Sequence, residues 1–206
     1  MDRVASFVRS EKYLGEFKTE ILRKSIHFLI AVTPSMAAIN RPFTVFLLLI
    51  GTFGYTVMEN LRLSGVNVPV ISSLTSMVSR SREIGSFVMG PVTLGLGALL
   101  ALLLYPSPAA AIAIYALAFG DGFASLVGKF FGNCRRPAFL YGKSVEGSIA
   151  CFTAVFVSAF AVSGSLRIAV IAAFTAMVAE ALPLGDYDNL VLPVTVGFAV
   201  QLAFLA

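Results

Sequence analysis

Charge is what this sequence has least of. Only 13% of its 206 residues are Asp, Glu, Lys or Arg, against roughly 25% in ordinary soluble domains. With 58% hydrophobic residues and a mean hydropathy of +0.89, the shortage excludes a soluble enzyme and leaves no length for a separate soluble domain. Histidine is nearly absent, and His27 alone cannot build a metal site. The two cysteines, Cys134 and Cys151, stand in no CxxC or Cys/His spacing, which argues against structural zinc and against a disulfide framework. A Walker loop is also missing. Gly142-Lys143-Ser144 has its tail, but the glycine required five residues earlier is Pro137, and no strand precedes it. The net charge of +4 is dispersed among loops without interleaved aromatics, so no nucleic-acid partner is expected. No internal repeat is visible.

What is present is a series of apolar runs. The reading is an all-α fold, a polytopic membrane bundle in one domain. Residues 1–24 form an amphipathic interfacial segment with a stripe of Val4, Phe7, Leu14, Phe17 and Ile21, apolar side down on the bilayer. About 24 charged and polar residues precede the first apolar run, which is unlike a signal peptide. Residues 25–206 hold about seven transmembrane helices, near 25–39, 42–58, 86–105, 108–127, 147–162, 166–182 and 190–206. Several fall short of the ~20 residues that a span ordinarily needs. With the N-terminus in the cytosol, every Lys and Arg except Arg41 and Arg167 lies on the inner side, as the positive-inside rule asks. Every Asp and Glu also falls on the inner side or just within it. The outer turns, Asn40-Arg41-Pro42, Tyr105-Pro106-Ser107-Pro108 and Ser163-Gly164-Ser165, are minimal. Between Leu61 and Gly85, Val70, Leu74, Met77 and Val78 mark a second interfacial helix ending in Arg80, Arg82 and Glu83. Chemistry on such a chain belongs to helix ends and short loops on one side.

The sharpest candidate is Asp121. A carboxylate at membrane depth costs about 2.5–3.5 kcal/mol on insertion scales, so it is usually kept for function. Gly120 and Gly122 flank it and would let backbone N–H groups approach a ligand. Lys129, Arg135, Arg136 and Lys143 follow within a short polar connection and suit phosphate. The alternative role for Asp121 is a cap where the helix breaks at its two glycines. Ser144 is placed to cap the next helix, with Glu146 in its first turn, compatible with phosphate binding at that N-terminus.

Three other clusters have two readings each. Glu20, Arg23, Lys24 and His27 share one helix face, either as an anchor with a Glu20–Lys24 pair and a core histidine bonded to backbone, or as a phosphate or headgroup contact. Glu59, Asn60 and Arg62 end the second span, as a solvated ion pair or with Glu59 as a metal or lysine partner. Glu180, Asp186, Asp188 and Asn189 form a hydrated turn, or let Asp186 or Asp188 complete a metal site with Asp121.

Taken together, four motifs resemble the CTP-dependent lipid kinases: Arg23-Lys24-x-x-His27; Gly120-Asp121-Gly122-Phe-Ala124-Ser-Leu-x-Gly128-Lys129-x-x-Gly132; Gly142-Lys143-Ser144-x-Glu146-Gly147; and Glu180 followed by Asp188-Asn189-Leu-x-x-Pro193. That family includes dolichol and polyprenol kinases, phytol kinase and CTP-dependent diacylglycerol kinase, and it is related to the CTP:phosphatidate cytidylyltransferases. The resemblance covers roughly residues 20–200 in the same order. It implies transfer of the γ-phosphoryl group of CTP to a lipid alcohol with Mg²⁺. Asp121 matches the acidic metal position, joined by Asp188 and Asn189. Asp121, Lys129 and Lys143 are the catalytic candidates. Arg23, Lys24, Gly120, Gly122, Gly128, Gly142, Ser144, Glu146 and Gly147 are the candidates for binding nucleotide.

The implied partners are a membrane lipid, a nucleoside triphosphate and the bilayer, with a homodimer as one arrangement. The implied location is a membrane, such as a bacterial inner membrane, with the site on its cytoplasmic face. The cytidylyltransferases typically carry a Pro-Gly-His-Gly-Gly stretch followed by an Asp-Arg pair; this chain has neither, which favours the kinase branch. The rival readings are a cytidylyltransferase making CDP-diacylglycerol and a small cation- or proton-coupled transporter using Asp121, Glu180 and Asp188.

Overall fold

The computed structural model describes residues 17–78, 85–131 and 143–206. The expected stripe within residues 1–16, the cluster Arg80, Arg82 and Glu83, and the stretch from Gly132 through Cys134, Arg135 and Arg136 to Gly142 lie outside the described residues.

Every regular element among the described residues is helical. Helix α1 (residues 17–29) passes through a 3₁₀ turn, Ile30–Val32, into α2, Thr33–Leu63. The backbone leaves helical geometry at Asn40, with φ −152° and ψ 95°. The cause is local: Asn40 Oδ1 accepts from Phe43 N at 3.0 Å, an N-cap, and Pro42 follows it in the first turn of the new rod. The turn expected at Asn40-Arg41-Pro42 is therefore where the chain bends.

After α3, Pro69–Val78, come α4, Gly90–Leu104, and α5, Ala109–Tyr115. A π-helical turn, Ala116–Asp121, joins α5 to α6, Gly122–Phe130. The remaining helices are α7, Val145–Ser163, α8, Leu166–Ala181, and α9, Asp188–Leu205, the last entered through a 3₁₀ turn, Gly185–Tyr187.

By length and composition, four helical runs are apolar enough to cross a membrane: Phe17–Leu63, Ala109–Phe130, Val145–Ser163 and Gly185–Leu205. The sequence leads one to expect about seven. The difference arises because the first run contains the Asn40 bend, while Gly90–Leu104 and Leu166–Ala181 have 15 and 16 residues, short of the usual span length.

The segment α5–π–α6 is the axis of the bundle. Ile112, Ile114 and Leu117 are fully buried, and α4, α7, α8 and α9 pack around it. Helix α8 buries Ala169, Ala172, Ala173, Ala176 and Ala179. Such a small-residue face lets neighbouring backbones approach closely in an apolar medium, where packing must replace the hydrophobic drive. Helix α2 lies outside this core against α4, burying only Thr33, Pro34, Thr44 and Glu59 of its 31 residues.

The two arginines that the charge pattern sets apart both close helix ends. Arg41 Nη2 donates to the carbonyls of Leu102 and, at 3.1 Å, Tyr105. Arg167 Nη2 donates to Ala203 O at 2.6 Å. Each cation thereby meets unpaired carbonyls at the negative end of a helix dipole, on α4 and α9. Nearby, the Tyr105 hydroxyl donates to Val194 O at 2.7 Å. Ser144, Glu180 and Asp188 lie at the opposite helix ends, and Asp121, within the α5–π–α6 run, lines a cavity with Asp188, so these acids collect toward one end of the bundle.

Candidate functional site at the charged end of the bundle

Asp121 sits at the last position of the π turn and is 4% exposed. Such turns widen the helix and often mark functional positions. Its Oδ2 forms an ion pair with Lys24 Nζ from α1 and lies 3.2 Å from His27 Nε2. Ser125, one turn along, donates to Oδ1 at 3.4 Å. His27 Nε2 is also 2.7 Å from Leu117 O. Both neighbours of that nitrogen are acceptors, so Nε2 must carry the hydrogen. Lys24 and His27 are 3% and 6% exposed, which keeps the triad out of water.

Around this triad lies a cavity lined by Arg23, Lys24 and His27 of α1, Asp121 and Ser125, and Asp186, Asp188 and Asn189 at the start of α9. Two of the expected metal ligands, Asp121 and Asp188, thus face one space. Asp188 Oδ1 accepts from Asn189 N at 2.8 Å. The third, Asn189, donates from Nδ2 to Thr93 Oγ1 at 2.9 Å, joining α9 to α4. Among the described residues there is no group of three or more His, Cys, Asp and Glu side chains able to hold a metal ion by themselves.

The other candidate cations stand nearby, each with a carboxylate. Arg23 pairs with Glu20 at 2.5 Å, and Lys129 approaches the other oxygen of Glu20 at 3.5 Å. The expected Glu20–Lys24 pair is replaced by this arrangement, because Lys24 reaches across to α6. Lys143, just before α7, donates to Glu180 Oε1 at 2.7 Å and to the Glu180 carbonyl at the end of α8. Ser144 caps α7 as expected, its Oγ accepting from Gly147 N at 3.1 Å, and Glu146 occupies the first turn.

The glycines correct the sequence reading. The helix does not break at Gly120 and Gly122; it runs on through the π turn, and Gly122 N donates to Phe119 O. Their missing side chains serve packing. A Cβ on Gly120 would lie 2.7 Å from Val155 Cγ2, and one on Gly122 would meet the ring of Phe28. Gly128 and Gly147 form the crossing of α6 and α7: a Cβ on Gly147 would be 2.8 Å from Ala124 O and 3.2 Å from Gly128 Cα. Gly142 lies outside the described residues.

Glu59 is a second correction. It pairs with Arg62 as expected, by two 2.8 Å bonds, but is fully buried rather than solvated, and Val88 N donates to it at 3.1 Å.

Asp186, the alternative to Asp188 as a partner of Asp121, lines the cavity, as do Arg23, Lys24 and His27 of the shared α1 face, with Glu20 paired to Arg23 beside them. Ser125 joins the site beyond the residues singled out as ligands. Ser125, one turn after Asp121, carried no separate signal.

Over 158 residues the chain is 27% identical to a protein of Oryza sativa subsp. japonica named probable phytol kinase 1, chloroplastic. The match takes in 68% of this chain and 50% of that protein, so the chain spans about half the length of this relative. No family model matches, and no solved structure matches.

Proposed function

We propose that the chain is a membrane lipid kinase that transfers the γ-phosphoryl group of CTP to a lipid alcohol, a polyprenol, a phytol-like alcohol or a diacylglycerol. The observation that carries this reading is the convergence of Arg23, Lys24, Asp121 and Asp188 on one cavity at the charged end of the bundle. The similarity to a protein named as a phytol kinase supports it. Phosphoryl transfer asks the protein for alignment and charge neutralisation more than for covalent chemistry, and these residues can supply both.

Asp121 and Asp188 would hold Mg²⁺, an ion usually bound by one or two carboxylates together with substrate phosphates. The fit rests on Asp121 and Asp188 facing one space, with Asp186 also on its lining, while among the described residues no three such side chains form a metal site by themselves. When bound, the ion offsets phosphate charge. Lys24, Arg23, Lys129 and Lys143 would offset the rest. Each is already paired with a carboxylate, Arg23 and Lys129 sharing Glu20, so uptake of a triphosphate requires an exchange of partners. The N-terminus of α9, with Asp188 in its first turn, adds a partial positive charge on the same side. The lipid oxygen forms a bond to the γ-phosphorus as the bond to the β,γ-bridging oxygen breaks, releasing CDP and a proton. The distribution of Lys and Arg supports a cytoplasmic location for this end of the bundle.

The test uses purified protein in detergent with CTP labelled at the α or the γ phosphorus. The acceptors are phytol, a polyprenol, diacylglycerol and phosphatidate. Gamma label in a lipid alcohol is the expected result. Alpha label in the lipid with release of pyrophosphate replaces the kinase by a cytidylyltransferase, and no turnover with any acceptor rejects both.

A further inference from the structure

The cavity lining is of two kinds. Besides the charged groups it includes Ile26, Val88, Pro91 and Leu94. Three of these four belong to residues 88–94, which lead into α4 and form its first turn.

The stretch just before α4 is tied to α2 at three backbone points. Arg62 Nη2 donates to Ser86 O at 3.2 Å. Glu59 Oε1 accepts from Val88 N at 3.1 Å, and the Tyr55 hydroxyl donates to Val88 O at 3.2 Å. Both backbone polar groups of Val88 are therefore held by α2 side chains, while Val88 itself lines the cavity. Glu59 is fully buried, and beyond Val88 N it accepts two bonds from Arg62 and one from Thr75 Oγ1 at 3.3 Å. Burying a carboxylate is costly unless its oxygens are satisfied, and here they are satisfied by groups that fix one loop.

We propose that Glu59, Arg62 and Tyr55 are positioning residues that set the apolar wall Val88–Pro91–Leu94, and that this wall seats the hydroxyl-bearing end of the lipid alcohol. The inference rests on the kinase reading. The wall lines the same cavity as Asp121 and Asp188, so an acceptor lying on it brings its oxygen to the charged groups with its apolar portion against apolar side chains. None of the three clamp residues lines the cavity, so they act through Val88 and the start of α4.

Two variants test this in steady-state kinetics, with phytol or dioleoylglycerol as acceptor. Tyr55→Phe removes one hydroxyl, and its KM for the acceptor should rise about five-fold, the worth of one hydrogen bond. Glu59→Gln loosens the whole clamp, and the corresponding rise should be about tenfold or more. The KM for CTP should stay within about twofold in both, since the polar side of the cavity is untouched.

Hydrogen exchange across residues 85–90 gives a readout independent of turnover. The Val88 amide should exchange about tenfold faster in Glu59→Gln, as expected for a loosened local segment. Equal changes in the two KM values, or no change in variants that melt like the parent, overturn the positioning role. Unchanged exchange removes the clamp itself. If the parent protein transfers no γ label to any acceptor, the kinase reading fails and the acceptor assignment falls with it, a result distinct from transfer that occurs with the wrong KM pattern.

Discussion

Asp121→Asn is expected to lower γ-phosphoryl transfer by about 10³-fold, the scale seen when a group that stabilises developing charge is removed. The structure adds a consequence for folding. Lys24 is 3% exposed and its ammonium pairs with Asp121. With asparagine there it becomes a buried cation without a counter-charge, a change that costs about 3–5 kcal/mol when one partner of a buried pair is removed. The single variant should therefore melt earlier in detergent as well as lose turnover.

The two effects separate in the double variant Lys24→Met/Asp121→Asn. A neutral, well-packed replacement of a buried pair is often no less stable than the pair, so most of the lost stability should return. His27 Nε2–H still finds Leu117 O and an asparagine oxygen. Turnover should not return, because neither the carboxylate nor the ammonium is there to meet phosphate. Thermal unfolding and labelled transfer on the same preparations decide the matter. Substantial turnover in either variant removes Asp121 from the reaction, and with it the proposed metal role.

Much of this arrangement could be read from the residues, and the parts that could not have physical reasons. The bend at Asn40 was legible because capping and proline chemistry are local. So was the Ser144 cap, which needs only its own helix. That Lys24 and His27 share a face was legible from their spacing, but their target was not. Asp121 lies 97 residues away from Lys24, and a helical period says nothing about which other helix a face will meet. Glu59 shows the same limit in a different form. Its neighbour Arg62 at i+3 suggests a surface pair, yet Thr75 and Val88 close over it. The π turn escaped notice because apolar periodicity continues through it. The glycines are ambiguous for a related reason: in a sequence, a glycine that admits a ligand and one that admits a helix look alike.

That last ambiguity has a decisive test at Gly120. A Cβ there would lie 2.7 Å from Val155 Cγ2 and 3.3 Å from Cys151 Sγ, and both residues are fully buried on α7. Valine is branched at Cβ and stiff, so it cannot swing aside. Gly120→Ala should lose about 1–3 kcal/mol, the usual cost of an added methyl in a packed core. Turnover should fall by about 10²-fold, since a displacement near 1 Å can cost that much and the next residue is Asp121. Val155→Ala alone should cost about 2 kcal/mol through the cavity it opens. Combined, the changes add one methyl and remove two at a single contact, leaving a net loss of one carbon, so stability should recover to within about 1.5 kcal/mol of the parent, as nearly volume-conserving core changes do. Turnover should recover with it. If Gly120 instead keeps its backbone bare for a nucleotide, Val155→Ala will restore melting but not transfer, because the new methyl still occupies the ligand's approach. Parallel recovery assigns Gly120 to the contact between the π turn and α7 that holds Asp121 in place; recovery of melting alone returns it to the nucleotide site.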